Sequence, residues 1–175
     1  KPIPSMSRLK NEADDSQNNT YAQSNLMKLY YNKKDYPNSG IYAEKVLMNP
    51  KADDNVKSDA QIIIARAAIE TGDEAKAKVA YAKVLAIAKG ELAAEALYYD
   101  AYFKNKEGKF EASNAAVQKI AKNYSSYKYF GAKGLILMAK NFYGLKDSYQ
   151  ATYILENIIQ NFTDYPDVVS EAKTE

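Results

Sequence analysis

The chain has 175 residues, with 24 basic and 22 acidic side chains, a net charge of +2 and a hydrophobic content of 46%. That is enough for a domain with a sizeable core, and so even a charge balance gives no reason to expect a nucleic-acid partner. Cysteine and histidine are both absent, which removes disulfides, thiol chemistry, the commonest general base and the commonest metal ligand.

In chain order, residues 1–19 are polar and irregular in pattern. Pro2 and Pro4 disfavour helix, Met6 and Leu9 are spaced for a short helix, and Asn11 to Thr20 is almost wholly polar. This stretch reads as the remnant of whatever precedes the fragment, because the chain opens on Lys1; a targeting segment or lipid anchor would lie outside it. A first helical stretch from Tyr21 to Tyr31 turns at Lys33-Lys34-Asp35 and continues through Ile41 to Met48, where Asn49-Pro50 ends it. Asp53, Asp54 and Asn55 offer N-caps for a helix carrying Ile62, Ile63, Ile64, Ala65 and Ala68. That helix stops at Thr71-Gly72-Asp73, a glycine stop followed by a new cap. Ala75 to Ala88 is alanine-rich and strongly helical, and Lys89-Gly90 breaks it.

A third pair is predicted over Glu91 to Lys106 and Phe110 to Asn123, with Gly108 at its turn. A fourth runs over Tyr129 to Tyr143 and Ser148 to Asn161, with Gly144 and Asp147 at its turn. Asp164 is placed to cap, and Pro166 to open, one more helix towards Glu175. The longest apolar run, Leu135 to Ala139, is far short of the ~20 residues of a membrane-spanning helix. No segment alternates as a strand does, so the chain is expected to be all-α, with residues 20–175 forming one helical repeat domain.

The pairs share a register. A small residue recurs at Ser39, Ala77, Ser113 and Ala151; twelve positions earlier stand Met27, Ala65, Ala101 and Ala139; seven positions later stand Val46, Val84, Ile120 and Ile158. A period of 36 to 38 residues marks stacked supersecondary units that bury one another's apolar faces. The 16 tyrosines suit tight packing between helices and also binding surfaces.

Several residues sit in this register as they do in the tetratricopeptide repeat (TPR) family: Leu26-Met27, Ile64-Ala65 and Met138-Ala139 in the first helix, Asp35-Tyr36 and Gly72-Asp73 at the turn, and Ala77-Tyr81-Val84, Ser113-Val117-Ile120 and Ala151-Leu155-Ile158 in the second helix. Over residues 20–162 the chain resembles that family, with a longer period than the family's usual one. Ala93 to Tyr99 and Ser126 to Phe130 are similar to long-period members from bacterial cell envelopes. The resemblance implies a right-handed α-solenoid of antiparallel helix pairs, a periplasmic or envelope setting, and a non-catalytic scaffold that binds a protein or peptide partner in a concave groove. The third repeat departs from the pattern with Asp100 and Lys104, an i,i+4 pair able to hold itself together.

In that architecture the first helix of each pair lines the groove. The positions three before, one after and four after its small residue are Ser24, Lys28 and Tyr31; Ile62, Arg66 and Ile69; Tyr98, Tyr102 and Asn105; and Ile136, Lys140 and Tyr143. The rings would grip apolar side chains, and the cations would meet a carboxylate. The paired asparagines and lysines of the chaperone-tail clamp are missing. No P-loop, dinucleotide fingerprint or zinc spacing is present, so no cofactor or metal is expected. Asp53, Asn55 and Asp59 lack the glycine and glutamate of a calcium loop and read as capping. Asn18-Asn19-Thr20, Asn123-Tyr124-Ser125 and Asn161-Phe162-Thr163 match a glycosylation pattern but read as turn chemistry. A binding scaffold is therefore the leading expectation. A structural or self-associating spacer comes next and an enzyme last.

Overall fold

A computed structural model describes the backbone from Ser16 and the side chains from Asn19, in both cases to Glu175. The described residues form nine helices and no strand: α1 (Ser16–Asn32), α2 (Tyr36–Met48), α3 (Asp54–Glu70), α4 (Glu74–Ile87), α5 (Glu91–Lys106), α6 (Phe110–Asn123), α7 (Lys128–Gly144), α8 (Ser148–Asn161) and α9 (Pro166–Thr174). Residues 16–19, expected to be irregular, are the first turn of α1, so Asn18-Asn19-Thr20 lies in a helix and not in a turn. The prolines, Met6 and Leu9 lie outside the described residues.

The chain divides into two compact units, up to Ile87 and from Ala88 on. In the first, α1 packs on α2, α2 on α3 and α3 on α4, and α1 also touches α3. In the second, each helix from α5 to α9 packs on the next, and α5 touches α7 as α7 touches α9. Within each unit the first helices of successive pairs are thus neighbours. The second helices, α2 with α4 or α6 with α8, do not pack on each other in this way.

The sequence register is realised side chain by side chain. Met27, Ala65, Ala101 and Ala139 are fully buried, as are Ser39, Ala77, Ser113 and Ala151, and Val46, Val84, Ile120 and Ile158 are at most 2% exposed. In the third pair the offset of twelve is a direct bond: Ser113 Oγ donates to the Ala101 carbonyl at 2.7 Å. A fourth recurring position emerges five residues before the first set, at Ala22, Ala60, Ala96, Gly134 and Ala172, all buried. At Gly134 a Cβ would come within 3.1 Å of Val117, so the helices there approach too closely for any side chain.

Each pair closes with the same three-residue turn. The amide of Asp35 donates to Tyr30, Asp73 to Ala68, Lys109 to Lys104 and Asp147 to Phe142, all at 2.8–2.9 Å. One residue earlier Lys34, Gly72, Gly108 and Lys146 donate to Tyr31, Ile69, Asn105 and Tyr143. This is the paired bonding of a Schellman stop, and it puts its inner residue in the left-handed region: φ is 60° at Lys34, 77° at Gly72, 74° at Gly108 and 62° at Lys146. Asp35, Asp73 and Asp147 then cap the next helix through the amides of Asn38, Lys76 and Gln150. Gly144, expected at the fourth turn, instead ends α7. A Cβ there would lie 2.5 Å from the Phe110 ring, so its role is close approach, and Lys146 takes the turn. Because a side chain in the left-handed region costs about 1–2 kcal/mol, partly offset by the chain entropy of glycine, Lys34→Gly and Lys146→Gly should each stabilise the protein by about 0.5–1 kcal/mol. Gly72→Ala and Gly108→Ala should destabilise it by about 1 kcal/mol. Urea unfolding of the four variants checks the sign at each turn.

Asp53 accepts the Val56 amide at 2.8 Å, as a cap should. Asp164 does not cap α9: the cap position is Tyr165, with no side-chain bond, and Pro166 opens the helix as expected. The helix packs back on α7 and α8, with Val168 0% and Ala172 2% exposed in a cluster with Ile136, Ala139, Ala151, Leu155 and Ile158.

Candidate functional site

In the first unit the expected groove residues split by environment. Ser24 and Ile62 are buried. Arg66 and Ile69 are half-buried. Tyr31, also half-buried, meets Tyr36 edge to face at 5.9 Å. Lys28 reaches Asp59 at 3.2 Å, across from α1 to α3.

The second unit repeats the arrangement. Ile136 is buried and Tyr98 is 8% exposed. Tyr98 sits among Tyr99, Tyr102 and Phe130, with ring centroids 5.0, 6.5 and 6.2 Å away, and under the Lys133 ammonium at 5.8 Å. Burial, aided by the neighbouring Tyr99 and Glu171, pushes its phenol well above the ordinary value near 10, so it stays neutral. Tyr102 is half-buried against Phe103 at 5.2 Å and carries Lys106 over its face at 5.2 Å. Lys140 holds Glu175 at 3.0 Å and Glu171 at 3.6 Å. Tyr143 is exposed.

Ile62, Ile136 and Tyr98 are therefore packing residues, a correction to their assignment as groove contacts. The position three before the small residue faces the neighbouring helices. Lys28 and Lys140 are corrected as well. The position just after the small residue faces the next first helix, which carries a carboxylate six residues before its own register position, as Asp59 stands before Ala65. Lys28–Asp59 and Lys140–Glu171 are the same ion pair in two copies of the repeat, and at their exposure such pairs contribute little. Asp100 and Lys104 pair at 2.9 Å along α5, as their spacing implies. What remains accessible of the expected set is Tyr31, Tyr102, Tyr143 and the flanks of Arg66, Ile69 and Asn105.

The sequence reading missed a polar network inside the second unit. Asn141 is fully buried in α7. Its amide nitrogen donates to Ser113 Oγ and to Asn114 Oδ1, both at 2.8 Å, and its oxygen accepts from Asn105 at 2.8 Å. Ser113 passes the chain on to the Ala101 carbonyl. The network ties α5, α6 and α7 at one register, and it connects the buried hub to Asn105 on the helix face. The only signal in the sequence was an asparagine where the other repeats carry Leu29, Ala67 and Phe103.

Among the described residues no three acidic side chains gather in a way that would hold a metal, and no helix is long and apolar enough to cross a membrane. No protein-family model matches the chain, and no curated protein matches it significantly.

Proposed function

We propose that this chain is a TPR-like right-handed solenoid of antiparallel helix pairs, serving as a non-catalytic scaffold that holds a peptide or helix of a partner protein. The observation that carries the reading is the repetition itself: four turns with one bonding pattern and twelve buried register positions. Such repetition suits a recognition surface extended along neighbouring first helices better than one enclosed reaction centre. Within each unit the accessible rings Tyr31, Tyr102 and Tyr143 supply apolar grip with a polar tip.

Selection of short random peptides displayed on phage against the intact chain tests this. Binders to the helix face should lose about tenfold or more in affinity on Tyr102→Ala with Tyr143→Ala, at unchanged helicity. Unchanged affinity of every selected peptide would remove the face from consideration. A second reading, a self-associating spacer, rests on the exposed apolar side chains Ile41, Met48 and Val79 of α2 and α4. A concentration-dependent dimer in sedimentation, dissolved by Met48→Lys with Val79→Lys, would favour it.

A further inference from the structure

The second unit contains a cavity of about 430 Å³ where α6 and α8 diverge over α7, on residues other than the helix face discussed above. Its floor includes Val117 and Leu135, and its walls are the rings of Tyr124, Phe162 and Tyr165. Tyr165 is steadied by Tyr129, edge to face at 5.8 Å. The volume falls in the range of small-ligand and side-chain pockets.

Gly131 borders this cavity from the interior of α7, where glycine costs about 1 kcal/mol relative to alanine. The fold gives no reason for it. A Cβ at Gly131 would meet nothing within 4 Å, whereas one at Gly134, a turn further on, would press on Val117 at 3.1 Å. One glycine is required by packing, and the other only keeps the cavity open. The rim carries opposite charges, Lys128 and Asp164, both exposed, and neither has an ion pair among the described residues. A cation in the first turn of a helix also stands against the helix field, so Lys128 gains from an incoming carboxylate.

We infer that this cavity is an anchor pocket for a partner peptide that inserts one bulky apolar side chain, leucine or an aromatic, between an acidic residue facing Lys128 and a basic residue facing Asp164. The rings and the aliphatic floor accept the side chain, and the two rim charges set the direction of the peptide. This pocket and the helix-face site stand or fall separately.

The same peptide selection, read on different variants, decides the matter. Gly131→Leu fills the cavity from its own wall while the added atoms meet open space, so its melting temperature should equal or exceed that of the parent. Selected peptides should include a class with a bulky apolar residue between an acid and a base. These should lose at least about tenfold in affinity on Gly131→Leu, weaken on Lys128→Glu, and be indifferent to Tyr102→Ala with Tyr143→Ala. If Gly131→Leu proves less stable than expected, methyl NMR of the parent replaces it: the bound peptide must shift the Leu135 and Val117 methyl signals. Absence of such a class, equal affinity for Gly131→Leu, or unmoved methyls would each overturn the inference.

Discussion

Asn141→Leu is expected to destabilise the second unit by about 3 kcal/mol, because it strands buried polar groups at full desolvation cost. Ser113 and Asn114 are buried, and both lose the amide that reaches them at 2.8 Å. Asn105 loses its acceptor as well. The leucine adds apolar volume but cannot satisfy any of the three. For a protein of this size the melting temperature should fall by about 6–12 °C. Thermal and urea unfolding followed by circular dichroism measures it. Adding Asn114→Leu should recover part of the loss, since removing both partners of a buried bond is milder than removing one. A loss below about 1 kcal/mol from Asn141→Leu alone would show that the network is not formed.

The second large effect is expected at the C-terminal end. Deleting residues 165–175 removes Val168, which is fully buried, and Ala172, 2% exposed, from the cluster formed with Ile136, Leu155 and Ile158. Burial of one such side chain with the facing surface contributes about 3 kcal/mol. The cover lost is also what keeps the last apolar face of the stack from water. The melting temperature should drop, and the truncated chain should associate at concentrations where the parent does not. Val168→Asp should reproduce the loss of stability within the full chain, because it buries a charge without a partner. If neither change lowers stability, α9 is not part of the core.

These two regions differ in how plainly they could be read beforehand. Helix α9 was legible because Pro166 and a short apolar pattern announce a helix start, and Ala172 continues a spacing of 36 to 38 residues through Ala22, Ala60, Ala96 and Gly134. The buried sets around Ala65, Ala77 and Val84 were legible for the same reason: close packing between helices tolerates few residue types, and the restriction recurs. The two lysines at φ near 60° were not legible. Only glycine signals a left-handed turn on its own, and Lys34 and Lys146 adopt it because the bonds around them leave no alternative. The network at Asn141 was hidden because three asparagines on three helices converge only in space.

For the candidate face, the reading of helix position was right about neighbourhood and wrong about exposure. A residue on the first helix faces either the next helix or solvent according to a few degrees of rotation, which periodicity does not resolve. Tyr98 and Ile136 fall on the packed side and Tyr143 on the open side. Lys28 and Lys140 looked available because their acidic partners stand on the following helix, 31 residues further along in each case, at Asp59 and Glu171.

The central claim is that one unit is built four times. It is tested most directly by nuclear Overhauser contacts between Met27 and Ser39, Ala65 and Ala77, Ala101 and Ser113, and Ala139 and Ala151. The account predicts a contact within every one of these pairs, together with slow amide exchange at Asp35, Asp73, Lys109 and Asp147, whose amides close the four turns. A missing contact in any pair, or rapid exchange at one of the four amides while its neighbours are protected, would contradict it.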